Sequence, residues 1–269
     1  MTENREASVK TILDFGRAPR GSIVVLTAYD ALMARAIAAS EADAILVGDS
    51  VAMVVHGHPS TIHATIEMMA LHTAAVRRGA GDTVVIADMP FLSARRGRDV
   101  ALAAAGALLQ AGATAVKVEG VRGHEDTIAH LIESGIPVMG HLGLTPQSVH
   151  QLGGYKLQGR SASEAEALRA DARALAELGA FAVVLECVPA ELAAAITADV
   201  AIPTIGIGAG AGTSGQVLVI TDLLGLDAAF RPRFARQYLD GHRLVTEAVN
   251  RFAQDVRQAQ FPARDEVLA

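Results

Sequence analysis

Polar side chains that could do chemistry stand at the ends of several apolar segments in this chain of 269 residues. They are Asp49 and Ser50 in AILVGDS, Asp88 in VVIADMP, Lys117 and Glu119 in AVKVEG, His141 in PVMGHLG and Glu186 in AVVLEC. Each apolar run is short and rich in Val, Ile or Leu, as expected for a buried strand. Carboxylates, an ammonium group and an imidazole gathered in one place could bind a metal ion and an anion and could transfer a proton.

We predict that Asp49 and Asp88 bind a divalent metal ion, with Glu119 bound directly or through water. Carboxylates that are brought together repel one another and lose water, and a cation would relieve both costs. Oxygen ligands with no cysteine nearby indicate a hard ion, and Mg²⁺ takes one or two carboxylates together with waters and substrate oxygens. Two alternatives stay open: each acid could cap the following helix, and Glu119 could form a plain salt bridge with Lys117.

Lys117 and Ser50 add a pocket for an anion beside this metal. An ammonium group, a hydroxyl and a backbone N–H would hold an α-keto acid by its carboxylate and ketone, and the metal would stabilise the enolate that forms when a proton leaves the neighbouring carbon. This reaction needs a base. Glu186, which the apolar residues VVL precede, is the predicted proton acceptor.

The elements that must position these residues are short strands separated by helical stretches. We predict strands at 22–28, 44–48, 84–88, 114–119, 136–141, 182–187, 203–208 and 216–220. Apolar runs without alternation are typical of parallel strands covered on both faces. The segments LLQAGATAVKVEG and LAELGAFAVVLEC repeat one plan of helix end, glycine and strand. Eight such units favour a closed (β/α)8 TIM barrel over an open doubly wound sheet, and all strand ends then meet at one rim, where barrels carry their chemistry.

A single domain over residues 1–269 is predicted, because barrels of this type commonly run to about 250 residues. The segment 232–258 is predicted to be helical, since Val245, Val249, Phe252 and Val256 fall on one face at helical spacing. This helix could pack on its own barrel or contact a second subunit. We favour a homo-oligomer, whose order the sequence does not fix.

The composition excludes several classes of function. A net charge of −6 and a pI near 5.8 give no general attraction for phosphate backbones, and aromatic residues make up only 4%, so nucleic acid is not an expected partner. The longest nearly apolar stretch, 100–116, is mostly Ala and Gly and too short to span a bilayer, so no membrane association is expected. The N-terminal residues mix acidic and basic side chains without a continuous apolar run, so no secretory signal is expected, and the single cysteine, Cys187, is consistent with a reducing cytoplasm.

Two other patterns are weaker. His56, His58, His63 and His72 crowd one segment, but their spacing matches no zinc motif, and a loop with one or two functional histidines is favoured over a zinc site. Gly210, Gly212 and Gly215 match G-x-G-x-x-G, yet no clear helix follows them, as a dinucleotide site would require. This stretch fits a rim loop after the seventh strand instead.

Long motifs in fixed order resemble the ketopantoate hydroxymethyltransferase family of the phosphoenolpyruvate/pyruvate barrel superfamily. They are LTAYDALMARA, ILVGDSVAMVVHGHPST, HTAAVRRGA, IADMPF, VKVEG, GHLGLTPQSVHQLGGYKLQGR, LECVP and IPTIGIGAG, and the similarity runs from about Ser22 to Phe234. Departures are small: Val121 stands where a second glycine is more usual, and His56 and His63 lie outside the family pattern.

The resemblance implies an Mg²⁺-dependent enzyme of pantothenate synthesis. It would add a one-carbon unit from 5,10-methylenetetrahydrofolate to 3-methyl-2-oxobutanoate, giving 2-dehydropantoate and tetrahydrofolate. The residues that match the family's pattern are metal ligands at Asp49, Asp88 and Glu119, keto-acid contacts at Asp49, Ser50, Asp88 and Lys117, a proton acceptor at Glu186 and a supporting residue near the substrate at His141. The family also implies a cytoplasmic homo-oligomer, often a decamer.

Three rival functions stay in view. A related Mg²⁺-dependent aldolase or lyase would act on a pyruvate-like acid without folate. A barrel that only binds a keto acid would need no base, which the presence of Glu186 disfavours. An NAD oxidoreductase would rest on the weak glycine match alone.

Overall fold

The computed structural model describes residues 11–19 and 21–267. Eight parallel strands close into a barrel in chain order, and the last strand pairs with the first. The strands are β1 Ile23–Thr27, β2 Ala44–Val47, β3 Val84–Asp88, β4 Ala115–Glu119, β5 Val138–Gly143, β6 Ala182–Glu186, β7 Thr204–Ile207 and β8 Gly215–Leu218. The predicted barrel and all eight predicted strands are therefore confirmed.

Helices cover the barrel between most strands. They are α1 Ile12–Phe15, α2 Ala31–Ala38, α3 Val51–Val54, α4 Ile66–Ala80, α5 Arg98–Gln110, α6 Glu125–Glu133, α7 Val149–Leu152, α8 Ala162–Glu177 and α9 Ala190–Asp199, with 3₁₀ turns at Thr61–His63 and Pro146–Ser148. The described residues 208–214 connect β7 to β8 without a helix. Both faces of β2, β3 and β4 are buried, which explains their unbroken apolar runs.

The barrel interior consists of an apolar layer that alternate residues of all eight strands form. Ile86 of β3, Met139 of β5 and Val184 of β6 belong to this core, together with Phe15 of α1. Side chains at i and i+2 of a strand face the same side. The inward positions that follow these core residues are Asp88, His141 and Glu186, so the strand pleat turns the charged residues toward the barrel axis.

Residues from Val219 onward form a second compact unit. It contains α10 Ile220–Leu223, α11 Gly241–Arg257 and a 3₁₀ turn at Arg264–Glu266. The predicted C-terminal helix is α11, but it begins at Gly241, so the prediction of helix over 232–240 was wrong. The four apolar residues of α11 at helical spacing are 48% to 59% exposed. The expectation of one domain over 1–269 stays a prediction. No helix of the described residues is long and apolar enough to cross a bilayer.

Candidate active site

The strand register brings the predicted site residues into one layer at the C-terminal rim. Asp88 pairs with Lys117, Glu119 with His141, and Gly143 with Glu186 across neighbouring strands. Asp49, Asp88, Lys117, Glu119 and His141 are all buried. The Glu186 side chain is 16% exposed, and Ser50 is half-buried. Side chains from the ends of β2 to β6, far apart in the chain, therefore form one contiguous cluster.

Asp49 and Asp88 are held together by the backbone. The Asp49 N–H donates to Asp88 Oδ2 at 2.9 Å, because β2 ends at Val47 and the chain turns over the end of β3. Burial raises the pKa of Asp49 well above its usual value, and the charges of Asp88 and Glu119 raise it further. The two carboxylates thus lie in a place where negative charge is unfavourable unless a cation is present.

Lys117 is the ammonium group of this cluster. Its Nζ lies 3.2 Å from Asp88 Oδ1 and 2.9 Å from His141 Nδ1. Burial lowers the pKa of Lys117, but the charges of Asp88, Glu119 and Asp49 outweigh this and raise it, so the side chain stays charged. The alternative of a plain Lys117–Glu119 salt bridge is not what forms among the described residues, where Lys117 pairs with Asp88.

His141 connects Lys117 with Glu186. An ammonium group can only donate, so the contact with Lys117 makes Nδ1 of a neutral His141 ring the acceptor and puts the ring proton on Nε2. That nitrogen lies 3.2 Å from Glu186 Oε2. Burial and the Lys117 charge lower the pKa of His141, whereas the neighbouring carboxylates of Glu119 and Glu186 raise it above its usual value.

The backbone of Glu186 lies unusually close to the backbone of Gly143 at the end of β5, and this contact helps to position Glu186. Gly143 has φ 89°, and a Cβ there would overlap the carbonyl oxygen of Glu186. The next N–H, of Leu144, donates to that oxygen at 2.8 Å. Cys187 adopts the left-handed φ of 47°, and its N–H donates to the Ile207 carbonyl. The backbone on both sides of Glu186 is therefore fixed.

The acids do not serve as helix caps. The N-cap residues of the helices that follow are Ser50 for α3, Gly97 for α5, His124 for α6 and Pro189 for α9. Ser50 instead shares a 2.8 Å hydrogen bond with Tyr29 Oη. Burial raises the pKa of Tyr29, so this phenol stays protonated and can donate.

Gln147 is a site residue that the sequence reasoning missed. Its Nε2 donates to Asp49 Oδ2 at 2.8 Å and to the Met89 carbonyl at 3.0 Å, and its backbone N–H donates to Glu119 Oε2 at 3.0 Å. The motif LTPQS contains Gln147, but no local pattern shows that a loop residue reaches an acid 98 positions earlier in the chain. Tyr29, in LTAYD, was missed for the same reason.

The acids at the rim, Asp49, Asp88, Glu119 and Glu186, are called the acid layer below. This layer suits a cation that the protein coordinates only in part. Among the described residues, no three His, Cys, Asp or Glu side chains converge closely enough to enclose a metal ion by themselves. Glu119 Oε1 is nevertheless buried with no hydrogen-bond donor of the described part in good geometry, and buried Asp88 Oδ1 has the Lys117 ammonium group 3.2 Å away but no hydrogen bond of good geometry. Two carboxylates completed by water and substrate oxygens are the usual environment of Mg²⁺, and the oxygens present fit that ion.

The histidine side chains of the segment 56–72 contact one another in pairs. Nε2 of His56 lies 2.9 Å from Nε2 of His72, and His58 stacks on His63 with ring centroids 4.8 Å apart. Among the described residues, no set of three such ligands comes together that could hold a metal. In the G-x-G-x-x-G motif, the last glycine, Gly215, begins strand β8 rather than a helix. A dinucleotide site needs a helix at this point, so the motif does not form one.

Known proteins are similar to this chain in sequence and in fold. A family model described as ketopantoate hydroxymethyltransferase matches residues 9–264. A 3-methyl-2-oxobutanoate hydroxymethyltransferase of Legionella pneumophila is 54% identical over 244 residues, which is 90% of this chain and 93% of the relative. One of Bdellovibrio bacteriovorus is 50% identical over 260 residues, which is 96% of this chain and 99% of the relative.

Solved structures with the same architecture include two enzymes of low sequence identity. For 2,3-dimethylmalate lyase, a PEP mutase/isocitrate lyase superfamily member, the TM-score is 0.63 at 18% identity, covering 96% of this chain and 88% of that chain. For phosphonopyruvate hydrolase in complex with oxalate and Mg²⁺, the TM-score is 0.62 at 14% identity, covering 99% and 93%. At such identities the likeness shows the fold alone.

Proposed function

The chain belongs to the ketopantoate hydroxymethyltransferase family, and we propose that this hydroxymethyltransferase moves a one-carbon unit from 5,10-methylenetetrahydrofolate to 3-methyl-2-oxobutanoate. The products are 2-dehydropantoate, an intermediate of pantothenate synthesis, and tetrahydrofolate. One C–C bond forms between C3 of the keto acid and the methylene carbon, and the two C–N bonds that hold this carbon on the folate break. The C3 proton leaves to a base, and water supplies the new hydroxyl group.

The observation that carries this proposal is the buried layer in which Lys117 is surrounded by acids and contacts His141 next to Glu186. Lys117 and Ser50 bind and orient the keto acid through its carboxylate. Glu186 accepts the C3 proton, because it combines a fixed backbone with partial access to solvent. His141 positions Glu186 through its Nε2, a supporting role near the substrate.

Asp49 and Asp88 would hold Mg²⁺, with Glu119 bound directly or through water. When bound, the ion supplies positive charge beside the ketone oxygen and stabilises the enolate that proton loss creates. The support lies in the excess of buried carboxylates over the Lys117 ammonium group and in Glu119 Oε1, a buried oxygen that no donor of the described part reaches in good geometry. Gln147 orients Asp49 through its amide N–H.

The test compares proton exchange with folate-dependent turnover. In D₂O with Mg²⁺, the C3 proton of 3-methyl-2-oxobutanoate should exchange, and hydroxymethylated product should appear only when methylenetetrahydrofolate is added. Glu186→Gln should abolish exchange while the keto acid still binds, whereas Glu177→Gln, at the exposed end of α8, should behave as wild type. Exchange at the wild-type rate in Glu186→Gln would remove Glu186 as the base. Turnover without any folate would support the lyase or aldolase function instead.

Metal binding is tested separately. Asp88→Ala should lose most Mg²⁺ affinity in calorimetry, and Asp82→Ala, an exposed aspartate before β3, is the matched control. Wild-type Mg²⁺ affinity in Asp88→Ala would exclude Asp88 as a ligand.

A cytoplasmic homo-oligomer is the form in which the protein would act. Helix α11 exposes Val245, Val249, Phe252 and Val256 on one face, an apolar surface that a second copy would cover. The single cysteine, Cys187, suits a reducing compartment. Sedimentation of a Val249→Glu, Phe252→Glu double variant should give a smaller species than wild type, and an unchanged sedimentation coefficient would refute this contact.

A further inference from the structure

A cleft of about 430 Å³ opens between the loop after β2 and the loop after β5. Pro59, Ile62 and His63 line one side, and Val149, Gly153 and Tyr155 line the other. The 3₁₀ turns at the base of the two loops, Thr61–His63 and Pro146–Ser148, pack on each other. The cleft therefore belongs to the same rim as the acid layer.

The cleft adjoins the acids through the loop after β5. Gln147 binds Asp49 and Glu119 at one end of this loop, and Val149 lines the cleft two residues later. At the far end, Tyr155 Oη donates to Met53 Sδ at 3.8 Å, within the helix that begins directly after Ser50. Burial raises the pKa of Tyr155, and the charges of Glu186, Asp49 and Glu119 raise it further, which reflects how near the phenol lies to all three acids.

The walls suit a planar, largely apolar group. Pro59, Ile62, Val149 and the Tyr155 ring offer apolar faces, and a volume of several hundred Å³ is that of a site for a ligand of drug-like size. The small keto acid that the acid layer accommodates would leave such a cleft almost empty.

The rim of the cleft carries a cation. The Lys156 ammonium group lies 3.3 Å from the point where a Cβ on Gly153 would stand, and Lys156 itself is exposed. His63, which also lines the cleft, stacks on His58 with an interplanar angle of 4°. A ligand with flat rings at one end and carboxylates at the other would fit this cleft: the rings would contact the apolar walls, and the carboxylates would lie near the Lys156 ammonium group.

We propose that this cleft binds the folate co-substrate, with the pterin and aminobenzoyl rings between Ile62 and Tyr155 and the glutamate carboxylates near Lys156. The inference rests on the proposed function, since it assigns the place of the second substrate of that reaction. It would place the one-carbon unit at the end of the cleft nearest the acid layer, where the nucleophilic C3 of the keto-acid enolate would attack the methylene carbon.

The experiment measures tetrahydrofolate binding and keto-acid exchange in the same variants. Ile62→Glu, which puts a charge on the apolar wall, should raise the dissociation constant of tetrahydrofolate and the KM for methylenetetrahydrofolate at least about tenfold, while C3 exchange without folate continues. Ile202→Glu is the control, because Ile202 is also half-buried but precedes β7 at the opposite end of the barrel. Ile62→Ala, a milder change, should weaken tetrahydrofolate binding severalfold if Ile62→Glu does not fold.

Lys156→Gln tests the positive rim. It should weaken binding of a polyglutamylated tetrahydrofolate more than that of the monoglutamate. Tetrahydrofolate affinity that is unchanged in both Ile62 variants would overturn the assignment of the cleft, even if the wild type transfers the one-carbon unit. Absence of transfer in the wild type would overturn the proposed function itself, so the two failures are distinguishable.

Discussion

Replacing Gly143 by alanine should disable proton abstraction without removing any side chain that contacts substrate. A Cβ on Gly143 would overlap the carbonyl oxygen of Glu186 and would also press on Val188. Because both neighbours belong to β6 and the turn after it, the backbone of Glu186 has to move. A displacement of about 1 Å at a catalytic group can cost about 100-fold in rate.

The loss of stability can be built up from three contributions. The positive φ of 89° costs an alanine about 1–2 kcal/mol. The hydrogen bond from Leu144 N–H to the Glu186 carbonyl contributes about 1 kcal/mol, and forcing extra volume into a packed position costs about 1–3 kcal/mol. Since these contributions overlap, we expect Gly143→Ala to lose about 3–5 kcal/mol, or roughly 6–20 °C in Tm for a chain of this size.

The assay combines urea unfolding, keto-acid binding and C3 proton exchange in D₂O. Gly143→Ala should exchange about 100-fold more slowly than wild type, while keto-acid affinity changes less than about threefold because Lys117 and Asp88 lie on other strands. Gly106→Ala is the control: Gly106 lies inside α5 with no atom near its Cβ position, so alanine should stabilise the protein by up to about 1 kcal/mol. Normal exchange and normal stability in Gly143→Ala would refute the idea that the contact between Gly143 and the Glu186 carbonyl positions the base.

Three further changes probe other parts of the molecule. Gln147→Leu should reduce turnover at least tenfold and stability by about 1–3 kcal/mol, because a buried carboxylate loses an amide donor, and wild-type turnover would contradict this. Burial, helped by Asp227, raises the pKa of Asp222 to about 6, so the folded state holds this proton more tightly and the contribution to stability falls as pH rises from about 4 to 6. Asp222→Asn should therefore gain about 1 kcal/mol over wild type at pH 8 in urea unfolding, allowing for the screening of a half-buried group, and nothing at pH 3. Burial raises the pKa of the Cys187 thiol to about 11, with Glu186 adding to the shift, so iodoacetamide should label it about 100-fold more slowly at pH 8 than free cysteine, and fast labelling of the native protein would be the contrary result.

Residues carried on strands could be predicted from the sequence. An apolar run fixes where a strand ends, and the parallel barrel brings all such ends to one rim. Asp88, Lys117 and His141 could be grouped by this reasoning alone, although they lie on three different strands. Which of these side chains contact each other could not be predicted, because the contacts of His141 with Lys117 and Glu186 depend on strand register and on side-chain rotamers.

Residues carried on loops were beyond the reach of the same reasoning. Gln147 and Tyr29 act through contacts whose partners are far away in the chain, and no periodicity marks them. The glycine stretch gave a false resemblance to a nucleotide loop for a related reason. Gly210 and Gly212 are needed because a Cβ at either position would press on α9, which is a packing demand rather than a chemical one.

The pleat of the strands also decides from which side substrates arrive. The lowest inward charged residue of a strand stands directly above an apolar one, as Asp88 does above Ile86, Lys117 above Ala115 and Glu186 above Val184. This apolar layer fills the barrel below the charges, so neither water nor substrate has a path from the N-terminal end. Under the proposed function, both substrates would enter past the loops after β2 and β5. The small keto acid would then lie deepest, against Lys117, and the large co-substrate would cover it from the rim.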